Sequence, residues 1–525
     1  MQKNRFLSQL GTILLIAAPV LSGCRPSPEA TAALLAQADQ LSEAGAAREA
    51  EQLYAKAASQ RDDLPELWLS RGRNALRLRA FGEALQYYQR AVELSPTNAE
   101  ALNVLAQLNA LSGDADQAAK YADRLLTLDP SNINAKLVEG LLAARRGKLD
   151  IAEQRATAVL KLDTNNVAAK LLMSRVLQRR GDLAGALAIV QPYEAQAGQN
   201  FDLLDRLRLL NGIDGDARGL LRLATAAAAV PQAACEGELE LAGRALPLGE
   251  TALAAEALNR CFARPYDEKQ IVRFVDTMLA ADVPVTQAIA AARTSPTVSP
   301  ALLVALARLA LAQGQPGVAV RLLAPAVRDT PTRGLAPVFA AYAMALVDAG
   351  QLGAGEKLAS DVIALDASQP DARLARATAA ARRGQRAAAA ADLNVVLRDN
   401  PDRTEAVLLA AALAQSAGDA SAAVSTIAGA ANRQTGDIRL ARRYADALMA
   451  RGRRDDALEQ VRKLTLELPA ARGAWAVRAS ICATAGDMPC RLRAAAKVAR
   501  LSGLNVAVPP PPADELAKLE EAGQP

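Results

Sequence analysis

A chain of 525 residues, 51% hydrophobic and 22% charged, exceeds one ordinary core and is too apolar for disorder, which leaves several domains or a repeat array. It contains no histidine, and this excludes Ser-His and Cys-His nucleophile pairs, His-ligated zinc, HExxH peptidases and imidazole bases. A net charge of +5 with only 3% aromatic residues is no nucleic-acid footprint.

The first element is an address. Lys3 and Arg5 precede a mostly apolar run from Phe6 to Val20, then Leu21-Ser22-Gly23-Cys24 and a polar stretch from Arg25 to Glu29. This is the three-part order of a secretory signal. The run is interrupted by Ser8, Gln9, Gly11 and Thr12 and falls short of the roughly 18 residues that a spanning helix needs. Removing Lys3 and Arg5 leaves 59 basic against 56 acidic residues, a balance of +3. Leu-Ser-Gly-Cys resembles the lipobox of bacterial lipoproteins. That resemblance implies cleavage before Cys24 and acylation of its thiol, as with palmitate, and of its new amino group. Each buried CH₂ then contributes about 0.8 kcal/mol to anchoring. The same resemblance reads Arg25, where an Asp would retain the protein in the inner membrane, as directing it to the Gram-negative outer membrane, facing the periplasm. An ordinary signal peptide with an incidental cysteine is the other reading.

The body repeats every 34 residues. Gly45, Gly113, Gly147, Gly181, Gly215 and Gly249 are 34 or 68 apart, and Gly350, Gly384, Gly418, Gly452 and Gly486 are 34 apart without a break. Five residues after these glycines, or after Arg79 where one is missing, a small residue recurs: Ala50, Ala84, Ala118, Ala152, Ala186, Ala254, Ala389, Ala423 and Ala457. Apolar residues flank each glycine at helical spacing, as in Leu102, Leu105 and Ala106 before Gly113, so two amphipathic helices are predicted per unit. Pro96, Pro130, Pro300, Pro331, Pro401 and Pro469 fall at position 32 of their units, where a helix stop belongs.

A unit of 34 with a large residue at position 4, small residues at 8 and 20, an aromatic near 24 and proline at 32 resembles the tetratricopeptide repeat. Trp68, Gly72, Ala84, Tyr88, Ala91 and Pro96 fill those places in the second unit, and Trp475 stands at position 4 of the last. The resemblance implies an all-α, right-handed superhelical solenoid of about fourteen helix-turn-helix repeats, starting near 31, 65, 99, 133, 167, 201, 235, 269, 300, 336, 370, 404, 438 and 472. The register slips in the middle: Val283 replaces the expected glycine, Arg208 and Leu220 occupy small positions, and Asp276 does so in the eighth unit. A bend is expected there, between two straighter lobes.

The expected organisation is a signal peptide over 1–23, a lipidated tether over 24–30, and a regular array of repeats 1–5 over 31–200. Degenerate repeats 6–9 follow over 201–335, repeats 10–14 over 336–502, and a Pro-rich tail over 503–525. In that tail Ala513 to Ala522 is predicted as a short final helix, either a polar cap or a partner-docking element.

With Cys24 acylated, four cysteines remain for an oxidising compartment. Cys235 and Cys261 occupy positions 1 and 27 of one repeat, and Cys482 and Cys490 positions 11 and 19 of another. An antiparallel helix pair sets each of these couples face to face, so Cys235–Cys261 and Cys482–Cys490 are the expected disulfides, with buried thiols as the alternative.

The inner face of such arrays is lined from the first helix of each repeat, at positions 2, 5, 9, 12 and 13, and the resemblance implies that it holds a peptide or protein segment. In repeats two to five those positions include Arg73, Arg77, Arg145, Arg175 and Arg179, with Leu69, Asn103, Gln107, Leu137 and Leu141 between them. Guanidinium groups along a groove suit an acidic segment, although Glu66 and Glu100 share it. The resulting expectation is a non-catalytic scaffold for envelope proteins, with no cofactor, metal, small-molecule substrate or nucleic acid, most similar to lipoproteins of exopolysaccharide secretion. Assembly of pili or outer-membrane proteins is the alternative. From another class, a glycan-acting enzyme working with two carboxylates remains open, with Asp202 and Asp205, or Glu236, Glu238 and Glu240, as candidates. A compact fold with parallel strands between 200 and 335, or a deep cleft of converging ionisable groups there, would overturn the scaffold reading.

Overall fold

The computed structural model describes residues 28–230, 235–263, 267–294 and 298–509. The signal peptide, Cys24 and most of its tether, and the expected helix Ala513 to Ala522 lie outside them. The chain divides into two compact units, one ending at Lys148 and one beginning at Leu149. That division falls in the turn of the fourth repeat.

The described residues hold twenty-eight α-helices in fourteen consecutive pairs and no strand. First helices begin at Pro65, Ala99, Ile133, Val167, Phe201, Cys235, Pro300, Ala336, Pro370, Thr404, Ile438 and Arg472, each at its expected start. The turn between paired helices needs one left-handed residue, and the glycine comb supplies it, with φ from 68° to 88° at Gly45, Gly113, Gly147, Gly181, Gly215, Gly249, Gly314, Gly350, Gly384, Gly418, Gly452 and Gly486. Arg79 (φ 58°) and Asp282 (φ 52°) take the same conformation without glycine's freedom. Asp282, not Val283, is therefore the turn residue of the eighth repeat, whose first helix starts one place early, at Glu268. Val283 is instead fully buried.

Asparagines recur at the starts of first helices. Asn98, Asn132, Asn166 and Asn200 cap four of them, each side chain accepting from the amide three residues on at 2.8 to 3.1 Å. Asp114, Asp182, Asp216, Asp419 and Asp487 cap second helices in the same way. Prolines act at both ends. Pro300 opens the first helix of the ninth repeat, where its missing donor costs nothing, and does not close the eighth as its place at position 32 suggested. Pro192 and Pro325 interrupt second helices: Leu183–Ala188 gives way to a 3₁₀ turn, Gln191–Gln196, and Pro316–Leu323 to Ala324–Ala326.

In the first unit the core lies where paired helices cross. Ala84, Ala118 and Ala122 are fully buried, and a Cβ on Gly72 would meet the Tyr88 ring at 2.8 Å. Position 8 is small because the aromatic at position 24 of the same repeat lies on it. The second unit has its largest core, nearly all aliphatic, between Ala224 and Ala345, in the repeats that match the pattern least. One aromatic pair, Phe262 and Phe274, meets edge to face at 5.7 Å there.

The second unit also closes on itself. Repeats 13 and 14 pack back on repeats 6 to 8: Arg500 pairs with Asp214 at 2.5 Å, Lys497 donates to the Ile213 carbonyl, and Trp475 joins Leu220, Ala494 and Leu501 in one cluster. A Cβ on Gly473 would stand 2.2 Å from the Leu279 carbonyl oxygen, so only glycine admits this approach. The stretch expected as a lobe flanking a bend lies against the bend.

Ala84→Arg would force a long cation into the helix crossing of the second repeat, at a cost of about 3 kcal/mol or more. The expected outcome is a clear drop in thermal midpoint followed by circular dichroism; an unchanged midpoint would place Ala84 off the crossing.

Candidate partner-binding surfaces

In the first unit the inner-face arginines are engaged by neighbouring repeats. Arg73 makes two parallel bonds, 2.6 and 2.5 Å, to Glu100. Arg77 donates to the Ser42 hydroxyl and Arg145 to the Ala110 carbonyl, the latter at 2.6 Å. Both reach back 35 residues, to the first helix of the preceding repeat, and Arg382 reaches the Val347 carbonyl over the same interval in the second unit. Position 13 is thus a tie between repeats. Asn103 and Gln107 bond each other at 3.3 Å. Leu69 is buried in the core, while Leu137 and Leu141 are half-buried. Arg175 and Arg179 are half-buried on the helix Val167–Arg179 of the second unit. In the same helix as Arg73, Arg71 bonds Glu51 at 2.7 Å and lies 4.3 Å from the Tyr87 ring centre.

The second unit holds a cleft of about 730 Å³. Its floor is apolar, with Leu311, Met344, Leu374, Leu408 and Leu409, and its wall is charged. Most of the residues that line it stand at positions 2, 5, 9, 12 and 13 of repeats 9 to 13, Arg308, Asp371, Thr378, Arg382, Glu405, Arg439, Arg442 and Asp446 among them, whereas Ala341, Leu409 and Arg443 stand at position 6 and Arg403 just before repeat 12. The same positional rule that selected Arg73 in the second repeat selects the first group when carried further along the chain.

Three arginines knit this cleft to the eighth repeat. Arg308 bonds Glu268 at 2.7 Å and Asp371 at 3.0 Å. Arg403 bonds Asp371, and lies 3.2 Å from Glu268 and 3.6 Å from Glu405. Arg439 holds Glu405 at 2.6 Å, Asp276 at 3.1 Å and Asp437 at 3.3 Å. Of the ionisable groups between 200 and 335, Arg308 lines this cleft, while Glu268 and Asp276 meet its arginines from outside its lining. They converge as matched pairs, each carboxylate facing at least one guanidinium. At the mouth, Arg442 and Arg443 are exposed; Arg442 has Asp446 at 3.9 Å, and Arg443 makes no ion pair among the described residues.

Two carboxylates of the network are pushed apart. Burial lifts the Asp276 acid to about 6, Arg439 opposing and Asp437 and Glu405 adding to the rise. Burial also works against the Glu405 charge, but Arg439 and Arg403 outweigh it and hold that carboxyl at about 2. A raised acid beside an ionised carboxylate is the pattern of a carboxylate pair in hydrolysis; both here share the same arginine, and no aromatic stands among the described lining residues. The other carboxylate candidates are ion-paired as well: Glu238 with Arg260 at 2.7 Å, Glu240 with Arg208 at 2.5 Å, Asp205 with Arg208 at 3.5 Å, and Glu236 with Arg273. Asp202 is exposed.

Cys235 and Cys261 lie with Cα atoms 4.6 Å apart, and Cys482 and Cys490 5.8 Å apart, both bridged in the structure. Among the described residues no group of three His, Cys, Asp or Glu could hold a metal, and no helix is long and apolar enough to cross a membrane.

A fold built of antiparallel helix pairs at a fixed period, presenting its first helices to one face, defines an α-helical repeat protein. Over residues 35–99, 69–133 and 442–500 the repeat matches the profile of the tetratricopeptide repeat family, and the described residues continue the same helix pairs between and around those segments. No curated relative matches. Among solved structures, a tetratricopeptide repeat protein from Parabacteroides merdae is 18% identical, with 48% of this chain and 99% of that one covered at a TM-score of 0.37. YrrB, described as having an unusual peptide-binding site, is 18% identical over 33% of this chain and 88% of its own, with a TM-score of 0.29. The type IV pilus biogenesis factor PilW is 18% identical over 47% and 99%, with a TM-score of 0.29.

Asp371 is buried between Arg308 and Arg403. Asp371→Ala leaves both cations without it and is expected to cost about 3–5 kcal/mol, measured as a shift in denaturant midpoint. The pH dependence separates the two shifted acids. Glu405, with its native value below the ordinary one, adds stability that is complete above about pH 4.5 and lost towards pH 2, and Glu405→Gln removes that loss. Asp276, raised, binds its proton more tightly in the native state, so its ionisation subtracts stability as pH climbs from about 4 to 6. Asp276→Asn should flatten that decline and leave the midpoint at pH 8 no lower than in the parent; a marked loss at pH 8 would contradict the assigned direction.

Proposed function

We propose that the protein is a non-catalytic scaffold, anchored by acylated Cys24 to the outer membrane and facing the periplasm, that organises an envelope assembly such as exopolysaccharide secretion. The observation that carries the reading is the repeat ladder itself: every α-helix of the described residues is half of a repeat pair, and a ladder of this kind offers long inner surfaces. The Leu21–Cys24 signature, Arg25 and two bridged cysteine pairs support an envelope location. The cleft of the second unit, with an apolar floor and exposed Arg442 and Arg443 at its mouth, suits an acidic segment of a partner that also carries aliphatic side chains. A scaffold for pili or outer-membrane proteins would use the same surfaces. The contrasting reading, a carboxylate-dependent glycan hydrolase, draws on Asp276 and Glu405.

Cys24→Ser is expected to move the protein from membrane to soluble fractions and to abolish labelling by radioactive palmitate. In vivo crosslinking of the parent, followed by purification from intact envelopes, should recover envelope proteins, with recovery reduced by Arg442→Glu combined with Arg443→Glu. Glycan turnover by the purified protein that disappears in Asp276→Asn would replace the scaffold with the enzyme.

A further inference from the structure

The inner groove of repeats 6 to 8 is already occupied by the chain itself. The turn that joins repeats 13 and 14, from Glu467 to Ala471, lies against Arg208, Leu209, Glu240, Gly243, Arg244, Thr277 and Ala280. Leu209 and Gly243 stand at position 9 of repeats 6 and 7, the position that points into the groove, and Thr277 stands at position 10 of repeat 8 counted from its helix start at Glu268. The turn is gripped through its main chain from two sides. Arg244 donates to the Ala470 carbonyl at 2.6 Å, and the Trp475 indole donates to the neighbouring Pro469 carbonyl at 2.9 Å. Arg472 fixes the exit by bonding the Asp282 carbonyl and pairing with its carboxylate at 3.4 Å.

The groove is shaped for such a visitor. Gly212 sits inside a helix, where glycine costs about 0.5–1 kcal/mol relative to alanine, and its missing side chain is where Ala470 lies: a Cβ there would stand 2.9 Å from the Ala470 methyl. Yet the fit is incomplete. A space of about 250 Å³ remains between turn and groove, and the buried Nε of Arg208 has no acceptor. The small side chains of Ala470 and Ala471 leave that volume empty and offer no oxygen to it.

We propose that this groove is a second protein-binding site, held by its own Pro469–Ala471 turn as an internal occupant. The competing ligand is a proline-containing turn of a partner protein that keeps the carbonyl for Arg244 and adds a larger side chain with an oxygen acceptor for Arg208. This goes beyond the scaffold reading, since it does not depend on where the protein is anchored or on the cleft of repeats 9 to 13.

The probe is the synthetic peptide Leu-Glu-Leu-Pro-Ala-Ala-Arg-Gly, the chain's own residues 466–473, and a variant with Asn for the second alanine. Ala470→Glu in the full-length protein presses a charge against Gly212 and ejects the turn. The apparent affinity of the parent is reduced by the fraction of time the groove is empty, so fluorescence anisotropy should show at least tenfold tighter binding to Ala470→Glu, with the Asn peptide the tighter of the two. Adding Arg244→Gln should abolish it. If Ala470→Glu fails to fold, Arg472→Ala, which releases the links to Asp282 and to the Ser502 hydroxyl, takes its place with the same readout. Equal affinities for parent and opened variant, absence of binding to either variant, or binding that survives Arg244→Gln would overturn the proposal.

Discussion

Everything in this structure rests on how closely two antiparallel helices can cross. A pair of amphipathic helices buries too little surface alone, so each repeat must press its helices together and then stack on the next. Close crossing requires a small residue on one helix where the other passes, which explains the buried alanines five places after most turns and Gly72 beneath Tyr88. It also requires a turn with one left-handed residue, which only glycine adopts without strain. Arg79 and Asp282 show that the fold can override that preference where stacking on both sides fixes the turn.

Arginine does the work between repeats. At position 13 it reaches the preceding repeat's first helix, as Arg77, Arg145 and Arg382 do, and in the second unit Arg308, Arg403 and Arg439 join helices far apart in sequence. A planar fork with several donors suits both tasks, because it can hold a carbonyl or two carboxylates at once. Burying such networks is seldom favourable compared with a hydrophobic contact, but removing one member strands the others. The closure of the second unit is therefore sensitive to single charge changes in a way the alanine crossings are not.

Repeat period, helix pairing and nearly every helix start were legible in the sequence, because each is written locally by a glycine, an alanine or a proline. Asn98, Asn132, Asn166 and Asn200, also 34 apart, carried a further signal for the helix starts. Pro192 and Pro325 announced the broken second helices, since a proline inside a predicted helix removes a donor wherever it stands. What local pattern could not convey was contact across 135 residues, such as Glu268 with Arg403. The inner-face positions of repeats 2 to 5 named Arg73, Arg77 and Arg145, which are engaged with adjacent repeats; the same positions in repeats 9 to 13 contribute most of the lining of a cleft. Periodicity says which face a residue occupies, not what lies opposite it.

Both tryptophans sit at position 4, and each indole bonds a carbonyl six residues back, Trp68 to Asp62 and Trp475 to Pro469. One belongs to each unit, and their settings differ: Trp68 is half-buried beside Tyr87, whereas Trp475 is buried against Leu220 at the closure. The chain thus carries two intrinsic fluorophores in separate compartments. With Trp68 changed to Phe, the remaining emission colour and its quenching by iodide would follow the opening of the second unit alone, with no attached dye.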